Sequence, residues 1–152
     1  MSGLNRQTAI DHLSAIDGVT IVETWGETSF FYNPGHRFKR GAYFATIKDV
    51  DSENDKASNL SREGVWRLNM GICKQTYRNL FGPPPPRPAK GHVIDGPWDL
   101  TALDTLTPHP IYGWMNWVAI LNPSIASWAS CQPLIVDAAA RAKQVFERRL
   151  LK

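Results

Sequence analysis

The sequence predicts an α+β fold: an antiparallel sheet of about five strands with the N- and C-terminal helices on one face. Three observations carry this. Between residues 19 and 70, β-branched and aromatic runs are separated by short turns, which join antiparallel neighbours. Helical apolar stripes stand at both ends of the chain. A length of 152 residues gives one domain, 1–152, and does not provide for two well-buried cores.

Residues 6–16 read as a helix with Ala9, Ile10, Leu13 and Ile16 on one face, stopped by Asp17 and Gly18. Residues 19–25 form a β-branched strand, Gly26 to Thr28 a turn, and 29–32 a second strand ending in the turn Asn33-Pro34-Gly35. Residues 41–48 are apolar on both faces, so this third strand is placed centrally. A loop carrying Asp49, Asp51, Glu53 and Asp55 follows. In a fourth strand, 64–70, Trp66, Leu68 and Met70 point one way, and Arg67 and Asn69 the other.

Residues 74–81 form a short helix closed by Gly82, and the prolines at 83–86 and 88 enforce an extended rod. Residues 89–107 read as a surface connection with a helical turn near 100–103. The fifth strand spans 114–121. Met115, Trp117, Ala119 and Leu121 share one face; Trp114, Asn116, Val118 and Ile120 share the other. A helical region opens after Asn122-Pro123-Ser124. Proline is tolerated in a first helical turn, so the last long helix is expected to begin near Pro133. Leu134, Ala138, Ala142, Val145 and Phe146 supply its apolar stripe; Asp137 and Arg141 are spaced for a solvent-facing i,i+4 pair. Terminal helices on one face leave the other partly open, and polar strand residues should gather there.

Composition narrows the function classes. With 43% hydrophobic and 20% charged residues, the chain is globular rather than disordered. No apolar run reaches the ~18 residues a membrane helix needs, so no membrane partner is expected. The opening segment Met1 to Arg6 has no apolar core of a secretory signal, which points to the cytoplasm. Cys73 and Cys131 lack metal-ligand spacing, and His12, His36, His92 and His109 show no zinc pattern. The acidic loop fails the calcium-loop pattern and reads as solvated. No dinucleotide, phosphate-loop or nucleophile-elbow fingerprint is present. No metal and no cofactor is therefore expected. A net charge of +3 permits phosphate contact without demanding it.

The segments 22–32, 43–48, 67–69, 81–85 and 109–117 together resemble the bacterial domain-of-unknown-function family 6194, with motifs such as Val22-Glu23-Thr24-Trp25-Gly26 and His109-Pro110-Ile111-Tyr112-Gly113-Trp114. The likeness covers nearly the whole chain and implies no particular activity. More distantly, a strand before an acidic loop, and Pro110-Ile111-Tyr112 ahead of an aromatic strand and a C-terminal helix, are similar to MmcQ/YjbR-like proteins. That likeness implies a CyaY-like fold and a DNA-binding role of the kind suggested for the wider group. Where those proteins carry Lys-Arg-His-Trp, this chain has Trp114-Met115-Asn116-Trp117.

Several residues remain once the core is assigned. Met115 and Trp117 go to the core; His109, Tyr112, Trp114 and Asn116 could form a site mouth, or a rigid turn with aromatic packing. Arg67 and Asn69, with Lys48 and Thr46, could bind an anion if Asn116 lies beside them, or form a solvated sheet face. Glu27 could serve as a base or a charge partner for Arg67, or be a turn residue. Arg37, Lys39 and Arg40 at a hairpin tip, with Arg148 and Arg149 at the C-terminus, could meet nucleic acid. Three readings follow: a non-enzymatic binding or interaction domain, a nucleic-acid-binding domain, and a small-molecule (anion) site or enzyme on the open sheet face.

Overall fold

The computed structural model describes residues 4–152; the first three residues of the polar opening segment lie outside them. The described residues form one antiparallel sheet of six strands in the order β1-β2-β3-β4-β6-β5, with three α-helices. The strands are β1 (Val19–Thr24), β2 (Glu27–Tyr32), β3 (Ala42–Lys48), β4 (Arg67–Gly71), β5 (Thr107–Pro108) and β6 (Trp117–Leu121). The helices are α1 (Arg6–Ser14), α2 (Lys74–Phe81) and α3 (Ile125–Leu150). The α+β class and the central place of β3 agree with the sequence. The extra strand is β5, two residues long and paired through Thr107 and Pro108 with Ala119 and Val118.

All three helices bury their apolar sides on one sheet face. Ala9, Ile10 and Leu13 of α1, Tyr77 of α2, and Leu134, Ile135, Ala138, Ala142 and Phe146 of α3 pack with Phe30, Phe44, Ile47, Leu68, Met70, Val118 and Ile120. His12 meets Trp128 edge-on, tying α1 to α3.

The last helix corrects the sequence reading. It runs unbroken from Ile125, so Pro133 sits inside it rather than in its first turn. Ser124 caps the helix by accepting the Ser127 N–H at 3.1 Å, and Asp104 accepts the Ser124 N–H at 2.7 Å. Pro133 leaves the Ala129 carbonyl without its usual i+4 donor, a local cost set against the apolar side that α3 buries through Leu134, Ile135, Ala138, Ala142 and Phe146. Asp137 does not pair with Arg141. It accepts the Cys73 N–H at 2.7 Å and the Thr76 hydroxyl at 3.0 Å, and so caps α2 from a neighbouring helix.

Strand β6 also begins later than expected. Residues Gly113–Met115 form a 3-10 turn, and Asn116 closes it in the left-handed region at φ 69. Asn116 therefore serves a backbone role, which a short amide side chain tolerates. Met115 is 41% exposed rather than in the core. The connection 89–107 makes a single turn here, the Ala102 N–H donating to the Asp99 carbonyl at 3.2 Å, and Leu103 then bridges to Leu121.

The face away from the helices is not open. The acidic loop folds back across it, with Ser58 and Leu60 buried, and so does the segment from Thr107 to Gly113. The loop is solvated at its tip, Ser52 to Asn54, but held in place at its base: Asp51 accepts the Leu60 N–H at 2.9 Å, and Arg62 donates to the carbonyls of Ser58 and Thr101.

Candidate functional site

Cross-strand register builds the site in rows on this covered face. One row runs Glu27, Lys48, Arg67, Leu121, and the next Ser29, Thr46, Asn69, Ala119. A third row is aromatic: Phe31 pairs with Tyr43, and Gly71 with Trp117. Simple alternation would put Tyr43 on the opposite face from Thr46. A bulge intervenes, because Phe30 pairs with Ala45 while Phe31 pairs with Tyr43, so Phe44 is the extra residue. Both Tyr43 and Thr46 thus reach the same side. Gly71 completes the row, since a Cβ there would lie 2.6 Å from the Trp117 indole. The ring crosses over that glycine to stack near Tyr43, centroids 4.9 Å apart. Trp117 is buried, as the sequence expects, but on the face away from the helices, where it forms a wall of the site.

Beneath the site lies a buried polar network. Arg67 is wholly buried. Its two terminal nitrogens hold the Asp55 carboxylate in a two-pronged ion pair; one of them also meets the Ser58 hydroxyl at 2.8 Å. Its Nε donates to Asn69 Oδ1 at 2.8 Å, and Asn69 in turn donates to Thr46 Oγ1 at 2.8 Å. Burial alone would raise the Asp55 carboxyl, but hydrogen bonds and charge from Arg67 outweigh it and hold the carboxyl below its ordinary value. The partner of Arg67 is thus Asp55, not Glu27.

His109 stands over this network, 3% exposed. Its Nδ1 accepts the N–H groups of Ile111 and Tyr112, both at 3.1 Å. That fixes the proton on Nε2. The Nε2 atom lies 3.4 Å from Arg67 Nη2, which has no lone pair to offer. Desolvation first, then the Arg67 charge, push the imidazole well below its usual range, so it stays neutral. His109 is consequently a neutral imidazole whose Nδ1 is already occupied by backbone N–H groups.

Above the network is a cavity of about 230 Å³ whose lining includes Glu27, Tyr43, Lys48, His109, Tyr112 and Trp117. Lys48 is 7% exposed and donates to the Ser52 hydroxyl at 3.1 Å. Glu27 is its neighbour in register, yet among the described residues the two form no ion pair. Burial, then the nearby Glu27 charge, push the Tyr43 phenol up to about 12, so it is a hydroxyl donor at neutral pH.

Of the residues singled out in the sequence, Glu27, Lys48, His109 and Tyr112 line this cavity, and Arg67 and Asn69 brace it from below. Trp114 lies in an adjoining hollow under the Arg87 guanidinium, and Asn116 lines neither. Tyr43, Ser52, Asn54 and Asp55 were not foreseen. One signal pointed to Asp55: an arginine in mid-strand requires an acid, and an acidic loop directly precedes it. Nothing in the sequence announces the bulge that delivers Tyr43.

The basic residues form a separate surface. Arg149 lies over the Phe38 ring at 4.0 Å and donates to the Arg40 carbonyl at 3.2 Å. The 36–40 segment and the end of α3 therefore meet, with Arg37, Lys39, Arg40 and Arg148 exposed. A hollow of about 630 Å³ lies elsewhere, and its cations are engaged: Arg6 pairs with Asp49, and Arg62 holds three backbone carbonyls. Among the described residues no cluster of metal-ligating side chains occurs, and no helix is long and apolar enough to cross a membrane.

No curated protein and no solved structure matches the chain. A family model matches residues 4–150, nearly its full length. The chain belongs to DUF6194, a family of unknown function.

Proposed function

We propose that this protein is a non-enzymatic binding domain for a small polar molecule, held in the cavity between β2, β3, β6 and the acidic loop. The carrying observation is that Glu27 and Lys48, adjacent in register, line one cavity without pairing with each other. Opposite charges so close ordinarily neutralise each other; kept apart, they are free to meet a ligand's donor and acceptor. His109 adds a neutral imidazole to the lining, and Tyr43, Tyr112 and Trp117 add aromatic walls. Binding rather than catalysis is favoured because the basic nitrogen of His109 is occupied by backbone N–H groups, which removes the obvious general base.

A thermal-shift screen of amino acids, hydroxy acids, nucleotides and sugar phosphates tests this. A ligand at 100 times its Kd adds about 2.7 kcal/mol to stability. The stabilisation should disappear in Lys48→Met and weaken in Glu27→Gln. Stabilisers that act equally on both variants would overturn the reading.

A second reading is nucleic-acid contact through Arg37, Lys39, Arg40, Arg148 and Arg149, supported by the stacking of Arg149 on Phe38, which gathers these charges. It requires affinity for mixed DNA that falls steeply with salt. Absence of binding at low ionic strength removes it.

A further inference from the structure

We infer that the hollow beside the cavity holds an oxyanion, phosphate or carboxylate, belonging to the same molecule whose polar body occupies the cavity. The inference rests on the proposed binding function and assigns the ligand its chemical class: a small organic acid or phosphate ester.

The hollow measures about 280 Å³ and adjoins the cavity, since Asn54, Ile111 and Tyr112 line both. Its other lining includes Arg87, Lys90, His92 and Trp114, and no acidic side chain. This contrasts with the cavity, where Glu27 and Asp55 offset Lys48. Asp95 shares a further hollow with Arg87 and His92 but forms an ion pair with neither.

Arg87 is the decisive residue. Its guanidinium is pinned 4.9 Å above the Trp114 ring, and it extends from the stiff proline rod at 83–86 and 88. Among the described residues it makes no side-chain hydrogen bond and no ion pair. An arginine held by stacking and prolines has lost much of its freedom already, so its free N–H fork binds an oxyanion at reduced entropic cost. Arg67, by contrast, is saturated by Asp55, Asn69 and Ser58 and has no fork to offer. The anion-binding role expected of Arg67 thereby moves to Arg87. Tyr112, half exposed, stands at the junction and gives a ligand a flat surface to cross.

The test is an NMR titration of the full chain with inorganic phosphate and, separately, acetate. The Arg87 Nε–H, the Trp114 indole N–H and the amides of 90–92 should move saturably, phosphate and acetate affinities telling which oxyanion is preferred. The double variant Arg87→Gln/Lys90→Gln should weaken binding about tenfold, as loss of charge-assisted hydrogen bonds implies. Both residues are exposed, so the fold should be unaffected. No movement, or movement equal to that at 37–40 and 148–149, overturns the inference. Ligands from the thermal screen separate it from the binding reading. Hits weakened by both Lys48→Met and the double variant support the two-part site. Hits lost only in Lys48→Met overturn the oxyanion hollow and leave the cavity reading standing. Hits weakened only by the double variant overturn the cavity reading, and with it the two-part site.

Discussion

Arg67 and Asp55 are bound through both terminal nitrogens of the guanidinium, and the arginine has no exposed surface. A buried ion pair need not add net stability, but it penalises loss of one partner. Asp55→Ala should therefore cost about 3–5 kcal/mol by urea denaturation. The double replacement Arg67→Met/Asp55→Leu should recover most of that. A single variant within about 1 kcal/mol of wild type would mean the pair is dispensable.

Acid should weaken this protein in two stages. His109 stays neutral in the folded chain, whereas the unfolded chain takes up its proton below about pH 6.5. Stability thus falls with decreasing pH from that point, by up to about 1.4 kcal/mol per pH unit. Asp55 is also shifted down, by its bonds to Arg67 rather than by burial, and acts in the same sense: its contribution is complete above the unfolded carboxyl pKa of about 3.9 and is lost as pH drops through its lower folded value. His109→Asn, which keeps an acceptor for the Ile111 and Tyr112 N–H groups, should flatten the first stage only. Equilibrium unfolding at pH 5, 6 and 7 decides; a variant with an unchanged slope contradicts the assignment.

Gly71 makes room for Trp117. A Cβ there would lie 2.6 Å from the indole, with ring atoms that cannot swing aside freely. Gly71→Ala should destabilise by about 1–3 kcal/mol and abolish ligand-induced stabilisation by shifting the cavity wall. A variant with wild-type Tm and ligand response would show that Trp117 is not fixed there.

Asp137 caps α2 from α3 through the Cys73 N–H and the Thr76 hydroxyl. Asp137→Ala should lower stability by about 1–2 kcal/mol, while Arg141→Ala should change little. Equal effects would restore the i,i+4 pair that the sequence suggested.

Tyr77 carries a buried hydroxyl with no hydrogen-bond partner among the described residues, and burial pushes its phenol up to about 12. Tyr77→Phe removes the unsatisfied group and keeps the ring, so chemical denaturation should show a gain of about 1 kcal/mol. A loss of that size would reveal a partner for the hydroxyl.

The α+β class, the boundaries of α2, the central place of β3 and the opposed faces of β4 are all readable from the residue order. These are legible because they depend on local periodicity: Leu68 and Met70 alternate with Arg67 and Asn69 whatever the rest of the chain does. Tertiary structure alone decided where the polar residues find partners. Pro133 lies well inside α3 because a helix-breaking tendency can be overridden when the helix buries a long apolar stripe. The burial of Trp117 is legible in the sequence, but burial has two sides here, and only the packing over Gly71 distinguishes them. Tyr43 reaches the cavity through a bulge, which inverts alternation without leaving a residue-type signature. Asp55 and Arg87 show the same limit for charge. One is neutralised by a strand twelve residues away in sequence and the other is left unpaired, a difference set by the folding of the loops and invisible to composition.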